Sequence, residues 1–119
     1  MLLFETKYRK STVESENGCR ATVGIADTWI KRLHGFKKKG LSRSVEGVVI
    51  HPCSSIHTIG MKFDIDVYFL DQKLRVLRVY PSVGPYRCKS VPGARYVLEF
   101  KSGEVVFPFA NIGENVRFT

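Results

Sequence analysis

The stretch Ile65-Asp66-Val67-Tyr68-Phe69-Leu70-Asp71-Gln72-Lys73-Leu74-Arg75-Val76-Leu77-Arg78-Val79-Tyr80 decides how this chain folds. Ile65, Val67 and Phe69 alternate with Asp66, Tyr68 and Leu70, which is the period of a strand. Asp71-Gln72-Lys73 turns the chain, and LRVLRVY at 74–80 returns as its antiparallel partner. Upstream, the all-apolar GVVI at 47–50 suits a buried strand, and RATVGI at 20–25 alternates as another behind the Asn17-Gly18 turn. A weak alternation over residues 2–8 predicts a first strand. Between them the period changes. Asp27 and Thr28 can cap a helix whose apolar positions Trp29, Ile30, Leu33 and Phe36 recur three and four apart, weakened by Gly35 and ended by Gly40.

Downstream, residues 81–92 read as a long loop, because Pro81, Pro85 and Pro92 oppose a strand. YVLEF at 96–100 is a further strand, 101–104 a turn, and 104–109 a strand or an irregular piece broken at Pro108. Residues 115–118 form the last strand. The expectation is one α+β, mainly β domain over residues 1–119. It is a compact, antiparallel, barrel-like sheet of about seven strands with one covering helix.

The chain has 119 residues, 44% hydrophobic and 25% charged, which are ordinary globular values and exclude disordered and collagen-like classes. No apolar run approaches the roughly 20 residues of a membrane helix. The opening MLLFETKYRK sets apolar residues before charge, the reverse of a signal peptide. These features predict a cytoplasmic protein without a membrane partner. Cys19, Cys53 and Cys88 are odd in number, widely spaced and form no CxxC, so neither a disulfide framework nor a zinc knuckle is expected.

The net charge is +8, from 19 Lys and Arg against 11 Asp and Glu, with a pI near 9.6; it favours an anionic partner. Lys31, Arg32, Lys37, Lys38, Lys39 and Arg43 lie in an acid-free stretch, a candidate surface for anions or nucleic acid. A solvated helix face explains the same charges, and no RNP pair, KH loop or helix-turn-helix spacing accompanies them.

The segment HPCSSIHTIGMKFDID at 51–66 concentrates the chemistry. His51, Cys53 and His57 offer imidazole and thiolate to zinc, with Asp64, Asp66 or Cys88 completing four ligands. Cys53 and His57 can instead form a nucleophile and base, with Asp66 orienting the ring. The bland alternative is a hydrogen-bonded histidine at a strand end and a small buried thiol. In that case no cofactor is needed. Asp66 lies opposite Ile65 and Val67; if that face is covered, its carboxylate must accept hydrogen bonds, most simply from the preceding loop and the Thr58 hydroxyl. Glu99 raises the same question between Leu98 and Phe100.

These residues carry a resemblance. ADT at 26–28, RLHGF at 32–36, EGVVIHPCSSIHTIGMKFDIDVYFLD at 46–71, GARYVLEFKSG at 93–103 and NIGENVRF at 111–118 are similar to the bacterial and archaeal family known as domain of unknown function one hundred and ninety-two. The likeness spans residues 20–118. Its most specific pattern is I-H-T-x-G-M-x-F-x-I-D-x-x-F-L-D, carried by Ile56, His57, Thr58, Gly60, Met61, Phe63, Ile65, Asp66, Phe69, Leu70 and Asp71.

The resemblance implies a small, mainly β domain with a helix packed on the sheet and no settled activity. Catalytic roles therefore stay unknown. His57, Thr58, Met61, Asp66 and Glu99 match the positions that mark the family's loop and pocket. The chain departs at the hairpin, where Asp71-Gln72-Lys73 replaces the usual Asp-Gly, and after the helix, where the basic Lys37-Lys38-Lys39 follows. The function expected first is a binding module that takes a polar or anionic small ligand, or a partner's peptide, at a His57/Asp66 pocket. The alternatives are a metal-dependent or Cys/His hydrolase using His51, Cys53, His57 and Asp66, and a basic nucleic-acid-binding accessory protein.

Overall fold

The structure, a computed structural model, describes residues 9–26 and 45–119. The expected strand at 2–8, the helix at 27–40 and the cluster Lys31, Arg32, Lys37, Lys38, Lys39 and Arg43 lie outside the described residues.

Nine strands are present among the described residues: β1 (Arg9–Ser15), β2 (Arg20–Ala26), β3 (Gly47–Ile50), β4 (Ser55–His57), β5 (Ile65–Leu70), β6 (Val76–Val83), β7 (Cys88–Ser90), β8 (Tyr96–Lys101) and β9 (Val116–Phe118). Seven form one sheet in the order β6-β5-β8-β3-β2-β1-β9, and β4 pairs with β7 in a separate ribbon. The predicted hairpin is there, with β5 antiparallel to β6. One neighbour pair departs from the antiparallel expectation. β2 and β3 run parallel, which requires a connection of a dozen residues or more, and 27–46 is long enough to supply it.

The sheet curls into a half-barrel. Its two outermost strands, β6 and β9, approach at one end through an Arg75–Asn115 bridge. There the Val76 N–H donates to Glu114 O at 2.8 Å and the Val116 N–H to Leu74 O at 3.0 Å. All seven strands send side chains into one cluster, including Val13, Val23, Val49, Tyr68, Leu98 and Val116; a face shared by every strand is the inside of the curl. Phe109 and Ala110, both fully buried, plug it.

Tyr68 fixes that plug. Its hydroxyl accepts the Phe109 N–H at 2.8 Å, and Phe100 and Phe109 meet its ring edge-on. Burial pushes its pKa up to about 12. Tyr68→Phe leaves the buried Phe109 N–H unmet and should cost about 1–2 kcal/mol of unfolding free energy. Urea denaturation measures it.

The outer face of the sheet carries a second cluster from β2, β3, β5, β6 and β8, with Val48, Ile65, Val67, Phe69 and Val97 at its centre. Ile56, Met61 and Phe63 from the 51–64 segment and Val91 and Ala94 from the 83–94 segment pack on it. The β4–β7 ribbon is therefore a lid layer, not a continuation of the barrel. Gly47 is obligatory where β3 meets β8: a Cβ there would stand 2.4 Å from Glu99 O and 2.6 Å from the Phe100 ring.

Two segments read as loops contain strands. β4 and β7 are only three residues each and depend on each other for pairing, so neither carries a periodic signal of its own. β6 runs through Pro81, against the expected strand end. Because β6 is the edge of the sheet, the missing proline N–H interrupts no ladder on its outer side. The register slips between Ile65 and Val67 opposite that stretch.

Candidate functional site

Strand register separates the two carboxylates that the family resemblance assigns to one pocket. Asp66 is opposite Phe100, whereas Glu99 is opposite Val67 and Val48. Cross-strand partners share a face, so Asp66 points into the barrel and Glu99 onto the outer face under the lid layer.

Asp66 is buried, 4% exposed, and is met by donors. The Ser82 N–H donates to Oδ1 at 2.9 Å and the Ser102 hydroxyl at 2.8 Å. The expectation that Thr58 and its loop supply these donors is corrected. That loop lies on the outer face, and the period of two turns Asp66 away from it. The segments after β5 meet the carboxylate instead.

Glu99 has the opposite environment. It is 6% exposed, between Val48 and Val67, which are both fully buried. No hydrogen-bond donor among the described residues reaches it. Burial alone pushes its pKa from 4.5 up to about 8, so the group is a neutral acid at pH 7. Lys101, two residues along on the same face, lays its Nζ over the Phe63 ring at 5.0 Å.

Thr58 is fully buried and joins two loops. Its hydroxyl donates to Gly84 O at 2.7 Å and accepts the Arg87 N–H at 2.7 Å. Its N–H donates to Arg87 O at 2.9 Å, and its carbonyl accepts from Met61 N at 3.1 Å and Tyr86 N at 3.3 Å. Met61 is thereby set onto the outer cluster. Thr58 is a fastener, not a contact surface.

His57 stands outside, exposed on the ribbon opposite Cys88. Thr58–Arg87 and Ser54–Val91 carry flanking ladder bonds, so His57 and Cys88 form the non-hydrogen-bonded kind of pair, in which side chains approach closely. The His57 Nδ1 accepts the Ile59 N–H at 3.3 Å. The Cys53 Sγ donates to Ser55 O at 3.1 Å, and its N–H donates to Arg95 O at 2.9 Å. The His51 ring stacks on Tyr96 at 4.1 Å between centroids, and its buried Nε2 has no hydrogen-bond partner among the described residues.

His51, Cys53 and His57 thus have separate surroundings. Among the described residues no three His, Cys, Asp or Glu side chains group to hold a metal ion. All three cysteines are thiols. An open depression beside Cys53 is lined by Pro52, Ser54, Ser55, Ala94 and Arg95.

A family model of uncharacterized ACR proteins matches residues 11–118. The chain belongs to the DUF192 family. None of the curated proteins matches this DUF192 domain. Its fold is similar to that of a Sinorhizobium meliloti 1021 protein with the provisional name of transcription regulator. The two share 16% identity at a TM-score of 0.79, over 93% of this chain and 95% of the other. A Novosphingobium aromaticivorans DSM 12444 protein of unknown function is similar at 18% identity and TM-score 0.68, over 92% and 84%. A hypothetical protein from Synechocystis is similar at 13% and 0.61, over 92% of this chain and 18% of that longer one. At these identities the likeness is one of fold. No helix of the DUF192 domain's described residues is long and apolar enough to cross a membrane.

Sequence reasoning missed Ile59 and Tyr86, which are 52% and 75% exposed. Both sit on the loops that Thr58 ties together. Pro85-Tyr86 looks like any loop dipeptide, and exposure of an aromatic is set by neighbours distant in sequence.

Proposed function

We propose that this domain is a small cytoplasmic binding module whose ligand is a compact, largely apolar molecule with a neutral hydrogen-bonding end, seated at Glu99. One observation carries the reading. Asp66, buried inside the barrel, has two protein donors, whereas Glu99, equally buried outside it, has none among the described residues. A carboxyl this nearly enclosed, with no protein donor among the described residues, is open to a partner from elsewhere. A protonated carboxyl donates through O–H and accepts through C=O, so a carboxamide satisfies both at once. Met61 and Phe63, half-buried on the loop that Thr58 anchors, suit an apolar body. Three thiols and no disulfide accord with a reducing compartment.

The test is an NMR titration with three four-carbon probes at millimolar concentration: butyramide, butylamine and butyrate. Butyramide should shift β3, β5 and β8 amides at pH 6.5, shift them less at pH 9 as Glu99 ionises, and leave Glu99→Leu unaffected. Equal responses of wild type and Glu99→Leu would remove Glu99 from the site.

A further inference from the structure

A second surface, distinct from the Glu99 face, is built where the Thr58-tied loops reach solvent. Ile59 and Tyr86 are large apolar side chains at 52% and 75% exposure. They belong to different loops, yet the Tyr86 N–H donates to the Thr58 carbonyl at 3.3 Å, one residue from Ile59. Tyr86 holds a left-handed backbone, φ 61°, a conformation that a bulky residue rarely adopts. The pinning bonds come from a fully buried threonine, so the backbone that carries the aromatic ring is held in place. Strain of this kind, kept by surrounding bonds, collects at binding sites.

The charge on the two loops has one dominant sign. Over residues 57–64 and 84–89 the chain carries Lys62, Arg87 and Lys89 against the single acid Asp64. Lys62 and Arg87 are exposed. Lys89 is turned inward, its Nζ 4.7 Å from the Tyr80 ring centroid. Tyrosine and arginine are also the residues that most often dominate association energies.

We infer that the Ile59–Tyr86 tip is a docking surface for an acidic peptide segment of a partner protein, an aliphatic or aromatic side chain of which packs on Tyr86. The acids of the segment pair with Lys62 and Arg87, and the net charge of +8 speeds the encounter. Nucleic acid would use the same cations through its phosphates but leave Ile59 without a role.

A random dodecapeptide display library, selected on the full chain, tests this. The counter-target is Ile59→Ser/Tyr86→Asn; asparagine tolerates the left-handed backbone, so the loop keeps its shape while the ring is lost. Circular dichroism and an unchanged Tm establish that the double variant is folded. The expected pool is rich in Asp and Glu around one apolar anchor, and its members bind the double variant at least tenfold more weakly. Enrichment of basic or uncharged peptides overturns the inference, as does an unenriched pool or equal affinity for the two proteins. So does displacement of the selected peptides by a single-stranded oligonucleotide that binds both proteins alike.

Discussion

Glu99→Gln is expected to flatten the pH dependence of stability and to leave the domain several kcal/mol more stable than wild type at pH 9. In the folded chain the Glu99 carboxyl keeps its proton up to about pH 8, whereas its ordinary value is 4.5. Below about pH 4.5 both states are protonated, and the group imposes no charge penalty. As pH rises from there towards 8 the unfolded chain releases a proton that the folded chain retains, and stability falls by about 1.4 kcal/mol per pH unit. Above about pH 8 both states are ionised and the loss is complete. Across that window it is on the order of 4–5 kcal/mol, because burial drives the shift and no donor among the described residues offsets it. Glutamine cannot ionise. Urea unfolding at pH 4.5 and pH 9 should give nearly equal values for the two proteins at the lower pH and a large gap at the higher. Parallel pH profiles would show that Glu99 finds a donor, and the ligand reading of its face would lose its basis.

Thr58→Val has the second-largest expected effect, a loss of about 2–4 kcal/mol. Valine keeps the volume and the backbone bonds of the two loops. It removes the hydroxyl that donates to Gly84 O and accepts from Arg87 N, so two groups lose their partner at about 1–3 kcal/mol each, less what water recovers. Thr58→Ser restores the hydroxyl and should recover most of the loss. Hydrogen exchange localises it: protection of the Tyr86 and Arg87 amides should fall before that of β5 and β8. A Thr58→Val protein within 0.5 kcal/mol of wild type would mean that the loops are held by something else, and the rigid Tyr86 tip would go with it.

How the site divides shows what a sequence conveys. Thr58, Met61 and Glu99 do belong to one side of the molecule, the loop and the face it covers. Asp66 belongs to the other, because it pairs with Phe100 while Glu99 pairs with Val67. His57 matched the same motif as Thr58, yet one residue of strand alternation turns it from the buried side of the ribbon to the exposed one. The basic stretch from Lys31 to Arg43 lies outside the described residues, and the structure does not test it as an anion or nucleic-acid surface.

By itself the sequence determined what is local. Alternation in 65–80 specified the β5–β6 hairpin, the apolar GVVI specified a buried strand, and the motif around His57 specified the family; each of these depends on neighbours within a few residues. Only the tertiary structure decided which face each carboxylate takes, that β2 and β3 lie parallel, that β6 continues through Pro81 at an open edge, and that Tyr86 is held in solvent. The physical reason is that register and burial come from pairing between segments far apart in the chain, where a shift of one residue reverses every face.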